Sequence, residues 1–214
     1  MVISKINKRF LFFIFLLYTI TFIGCSSDES LERKHVKEDL LTEAKSFLNG
    51  DFVLSTKATM NGIDKTLLPS GCPTKFHFSW DSTDKNILTI KLDKFTVGKM
   101  PFVVTFACNT EIMQLNSFEK DEYKGNSWIK FKGENGYVIA DDGKSNETAK
   151  GSLVKGYYNV ETHEINFIVD YNMMNVRSEC FLQTIDKNRI NNYTAEFKKY
   201  EEDLKAYKKD HGLQ

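Results

Sequence analysis

Three prolines in 214 residues, four histidines scattered singly and no excess of either charge set the first limits on this chain. His35, His77, His163 and His211 have no partner three or four residues away and no cysteine at ligand spacing, which excludes a zinc site of the usual kind. With 29 basic and 29 acidic residues interspersed, there is no cationic stripe to hold a nucleic acid. No glycine-rich phosphate cradle and no serine elbow occurs. The tract Asp141-Asp142-Gly143-Lys144-Ser145-Asn146-Glu147 is rich in oxygen but lacks the alternating ligands of a calcium loop, and Lys144 places a cation inside it. Carboxylate pairs, Glu119 with Asp121 and Asp141 with Asp142, fall in polar stretches and read as solvated groups rather than an acid and its base. No catalytic residue, metal or cofactor is assigned on these grounds.

What is present begins with an address. Lys5, Lys8 and Arg9 precede an apolar run from Phe10 to Ile23, and Gly24 then leads into Cys25, the anatomy of a secretory leader. Fourteen residues make roughly 21 Å of helix, short of the ~30 Å hydrocarbon core, so a permanent span is disfavoured. Phe22-Ile23-Gly24-Cys25 resembles the bacterial lipobox, with Phe22 where leucine is usual. That resemblance implies a leader over 1–24, lipidation of Cys25, a tether over 25–30 and an outer-membrane location, on the periplasmic face or the cell surface. Ser26-Ser27-Asp28-Glu29 also resembles the acidic tract of surface-exported lipoproteins of the Bacteroidetes. Without the three leader cations, 26 basic residues face 29 acidic ones, a mildly acidic body.

One domain is expected over 31–214. Val36, Leu40, Ala44, Phe47 and Leu48 recur at helical spacing, predicting an amphipathic helix over 31–48 with Gly50 as its stop. From about 51 to 184 the period becomes two. Phe76, Phe78 and Trp80 alternate with polar residues, a turn follows at Asp81 to Asn86, and Leu88, Ile90 and Leu92 form the returning strand. The parity slips at Phe95, which predicts a bulge. Further strands are expected at 102–108, 113–118, 128–132, 137–140, 153–160, 165–171 and 180–184. A second amphipathic helix over 191–210 carries Tyr193, Phe197, Tyr200, Leu204 and Tyr207 on one stripe. The fold class is therefore mainly β, an antiparallel barrel or sandwich flanked by two helices. In this layout the chain resembles uncharacterised lipoproteins of gut Bacteroides, some of which are calycin-like barrels; the resemblance implies a fold style and no functional residue.

Of the cysteines after Cys25, Cys108 shares an apolar face with Phe102, Val104 and Phe106 and reads as a small hydrophobe. An oxidising compartment then leaves Cys72 and Cys180 as the expected disulfide. Aromatic residues supply the candidate binding site: Trp128, Tyr137 and Tyr158, with Trp128 on a strand face beside Lys130 and Lys132. The leading expectation is a membrane-anchored, non-enzymatic module for a small apolar or glycan ligand. The alternative is an accessory subunit docking a protein through the C-terminal helix. A concave aromatic pocket with few polar atoms at its base marks the first, whereas a filled interior and an exposed apolar stripe at Phe197, Tyr200 and Leu204 mark the second.

Overall fold

A computed structural model describes residues 36–96 and 102–213. The expected leader, Cys25, the tether and the first residues of the expected N-terminal helix lie outside the described residues. The elements are α1 (Glu38–Phe47), β1 (Gly50–Met60), β2 (Ile63–Asp64), β3 (Cys72–Trp80), β4 (Ile87–Phe95), β5 (Val103–Met113), α2 (Ser117–Glu122), β6 (Trp128–Asp141), β7 (Asn146–Asn159), β8 (Glu164–Asp170), β9 (Val176–Thr184) and α3 (Arg189–Asp210).

Strands β1 and β3 to β9 pair in chain order, each antiparallel to the next, and β9 returns to β1. The result is an eight-stranded up-and-down barrel, with β2 as a short addition on β1. Closure removes the open edges that a sandwich would keep. The seam lies at Thr56, which registers with Cys72 of β3 on one side and Cys180 of β9 on the other. Past that rung β9 leaves β1, and the Gln183 side chain takes its place: its Nε2 donates to the Ser55 carbonyl at 3.0 Å and its Oε1 accepts the Ser55 N–H at 2.9 Å.

This register also corrects the expected disulfide. Cys72 and Cys180 are two strand spacings apart, roughly 10 Å at ~4.8 Å per spacing and beyond the ~7 Å a bridge can span. Both are free thiols, as is Cys108.

Period-two alternation sends Phe76, Phe78, Leu88, Ile90, Phe106, Phe131, Val154, Tyr158, Phe167 and Val169 into the barrel, each almost wholly buried. The rings interlock: Phe167 meets Phe76 edge-on at 5.0 Å between centroids and Phe131 at 5.9 Å. Gly156 makes room for them. A Cβ there would stand 2.3 Å from the Phe167 Cβ and 2.4 Å from the Phe131 Cζ. The interior is filled by side chains, the usual outcome for eight strands.

Helix α1 lays Leu41, Ala44 and Leu48 over one barrel end, where Trp80 Nε1 donates to the Leu48 carbonyl at 2.8 Å. At the other end Tyr171 shares a 3.0 Å hydrogen bond with Ser178, and Ser152 Oγ donates to the Tyr171 carbonyl. The bulge expected near Phe95 is present, a register shift between Leu92 and Phe95 with Lys94 in the left-handed region. Two expectations change. The segments at 128–132 and 137–140 belong to one strand, β6, whose register shifts at Gly133 and Gly136. The strand expected over 113–118 is the end of β5 followed by α2.

Candidate functional site

Helix α2 exists because Asn116 and Glu119 form a capping box. Asn116 Oδ1 accepts the Glu119 N–H at 2.8 Å and Glu119 Oε2 accepts the Asn116 N–H at 3.1 Å, satisfying two donors the helix start would otherwise leave orphaned. The Asn-x-x-Glu spacing is present in the sequence, but the alternation of Met113 and Leu115 with Gln114 and Asn116 masks it.

The capping box also aims Glu119 at the outer wall of the barrel, so it is not the solvated carboxylate expected: the residue is only 8% exposed. Its Oε1 accepts from Tyr157 at 2.6 Å and lies 3.1 Å from the Lys130 Nζ and 3.2 Å from the Lys155 Nζ. Lys130 is on β6, Lys155 and Tyr157 on β7, all at outward positions. Burial alone would raise the Glu119 pKa, but the hydrogen bonds from Tyr157, the Asn116 backbone and Lys130, together with the Lys130 charge, hold it at about 2. Burial, and then the Glu119 carboxylate it donates to, push the Tyr157 hydroxyl well up. Both Glu119 oxygens are occupied, so the carboxylate acts as a pillar, with only the half-exposed Lys155 of its partners reaching solvent.

The pillar carries an aromatic stack. The Tyr123 ring lies on Tyr157 at 4.0 Å, nearly parallel, and meets Trp128 at 4.9 Å. Asn166 Nδ2 donates to the Tyr123 hydroxyl at 2.7 Å, while the Asn166 Oδ1 is buried without a hydrogen bond among the described residues. Trp128 then borders a cleft of about 120 Å³ between α1 and α2. Val36, Leu40 and Leu115 supply apolar wall; Gln114 and Asn126 supply amides; Lys37 and Lys120 supply charge. Beside it Phe118 points into solvent, 80% exposed.

The other expected binding residues do not join this site. Tyr137 is 49% exposed on β6, nine residues or roughly 30 Å of extended strand from Trp128. Tyr158 lies inside the barrel, its hydroxyl 2.9 Å from His163 Nδ1. The thiols are remote from nucleophilic chemistry. Burial pushes Cys72 up to about 12 and Cys108 to about 11, and Cys180 rises for the same reason. Along the C-terminal helix Tyr200 and Leu204 are buried, so the expected stripe is largely covered.

Fold and site together define a closed, side-chain-filled antiparallel barrel with an aromatic-walled cleft on its outer surface. The chain belongs to the family described as Domain of unknown function (DUF4903), whose model matches residues 25–212. No curated protein and no solved structure matches it.

Proposed function

We propose that this protein is a lipid-anchored, non-enzymatic binding module of the outer membrane, held through Cys25 on the periplasmic face or the cell surface, and that it takes a sugar ring of a glycan against Trp128. The observation that carries the reading is the rigid Trp128–Tyr123–Tyr157 stack ending in a cleft with two side-chain amides. A sugar offers an apolar C–H face for an indole and a rim of hydroxyls that Gln114 and Asn126 can both donate to and accept from. The packed interior argues for an external ligand, because an apolar guest in the barrel would have to displace Phe76, Phe131 and Phe167. The start of the family match at residue 25 supports Cys25 as the first residue of the mature chain.

Binding of the fluorescently labelled mature chain, Cys25→Ser, to an oligosaccharide array tests the ligand class. Signal on particular glycans that is lost in a folded Trp128→Ala variant is the expected result. An array with no signal, or signal indifferent to Trp128→Ala, contradicts the reading. Labelled palmitate entering wild type but not Cys25→Ser is expected for the anchor, and equal labelling overturns it. A second reading, an accessory subunit docking a protein partner, is favoured by Phe118 standing out from the pinned helix α2; a Phe118→Ser variant that loses a co-purifying partner is its test.

A further inference from the structure

A second groove, separate from the Trp128 cleft, lies beside the C-terminal helix. Helix α3 packs on the outside of β3 and β1, fixed near its start by Arg189, whose Nη1 donates to Gln183 Oε1 on β9 at 3.4 Å, and at its middle by Tyr200, whose hydroxyl donates to the Thr66 carbonyl at 3.1 Å. Its end is a complete reversal motif. The Leu213 N–H donates to the Lys208 carbonyl at 2.8 Å, the Gly212 N–H to the Lys209 carbonyl at 3.3 Å, and Gly212 takes the left-handed φ of 62°. That turn brings Leu213 back to line the groove.

Between the last turns of α3 and Thr96 at the end of β4 is a groove of about 440 Å³, within the ~300–1,000 Å³ of small-molecule sites. Phe197, Tyr200, Leu204 and Leu213 give it apolar wall, with Tyr200 and Leu204 as its buried floor. Its charged lining is Lys205, Lys208 and Lys209 against the single carboxylate of Glu201. An apolar trough with excess cation calls for an apolar chain ending in an anion. A neutral apolar guest would leave the lysines unused, and a cationic one would be repelled.

We propose that this groove binds a free single-chain carboxylate amphiphile of the fatty-acid type, the chain along Phe197, Leu204 and Leu213 and the carboxylate among Lys205, Lys208 and Lys209. The test uses the mature chain carrying Cys25→Ser and the fluorescent probe 11-(dansylamino)undecanoate. Probe emission rises on binding, dodecanoate displaces it, and dodecyltrimethylammonium, with the same chain and the opposite head, does not. Lys205→Glu with Lys208→Glu weakens the probe at least tenfold. Because Leu204→Arg can unfold the helix, Leu213→Asp at the exposed rim serves as the apolar variant and is expected to weaken binding severalfold. Equal displacement by the cationic detergent, or unchanged affinity in the double lysine variant, overturns the proposal. So does a chain that ignores the free carboxylate and binds only vesicles containing phosphatidylglycerol, or one whose groove is protected only by a co-purifying protein.

Discussion

Strands β6 and β7 show two unlike faces. Inward they carry Phe131, Val138, Val154, Gly156 and Tyr158, a dry layer in which rings and a missing side chain fit one another. Outward the same strands carry Trp128, Lys130, Lys155 and Tyr157, a charged and aromatic layer made compact by one short helix. The inner face gains stability from apolar area and close packing, while the outer face depends on satisfying every charge it buries. The comparison teaches where specificity can reside. The filled inside has no room for a guest, whereas the outer face holds an aromatic wall rigidly and leaves one side open.

The outer face is the easier to break. Glu119→Gln leaves the buried Lys130 facing a neutral amide, with Lys155 half exposed beside it, and is expected to cost about 3 kcal/mol in urea unfolding. Adding Lys130→Met should recover a large part of that loss, and equal destabilisation in both variants would show that the pillar is incidental. The same pair sets an acid limit. The Glu119 pKa falls from 4.5 unfolded to about 2 folded, so its contribution is fully present above pH 4.5 and is lost as pH drops toward 2. That shift corresponds to about 3 kcal/mol, and wild type should lose stability through this window more steeply than Glu119→Gln.

The inner face is sharpened by a smaller change. Gly156→Ala forces a methyl against the Phe131 ring and the Phe167 Cβ and is expected to lower stability by about 1–3 kcal/mol, read as a fall in Tm, with the Trp128 cleft unaffected. Least in energy but plain in sign are the thiols. With Cys25→Ser, Cys72, Cys108 and Cys180 should resist Ellman's reagent while folded and all react in guanidinium. Fast reaction of the native protein, or a Cys72–Cys180 bridge in a mass spectrum, contradicts the register at Thr56.

Hydrophobic alternation made the inner face legible in advance: Phe76 to Trp80, Leu88 to Leu92 and the parity slip at Phe95 all appear where period two places them. The C-terminal helix was equally plain from its aromatic stripe, and its observed span, Arg189–Asp210, starts two residues early. Closure into a barrel was not legible, because it depends on β9 meeting β1 across more than a hundred residues of chain. The disulfide failed for the same reason, since elimination among three cysteines cannot see that Thr56 stands between two of them. The outer site was half legible. Its neighbours on the strand mark out Trp128, whereas residue type alone links Tyr137 and Tyr158 to it. Glu119 looked solvated because its partners lie on β6 and β7, reached only once α2 folds back onto the wall.

In the proposed function, ligand meets this protein on the outer wall at Trp128 and not inside the barrel. The chain has two tryptophans, so two indole N–H signals report on it directly. When a glycan selected on the array is titrated into ¹⁵N-labelled protein, the Trp128 indole and the side-chain amides of Gln114 and Asn126 should move together. The Trp80 indole, bound to the Leu48 carbonyl at the barrel end, should stay still. Shifts concentrated on Trp80 and on the backbone of Val154, Phe167 and Val169, with Trp128 unmoved, would contradict the account.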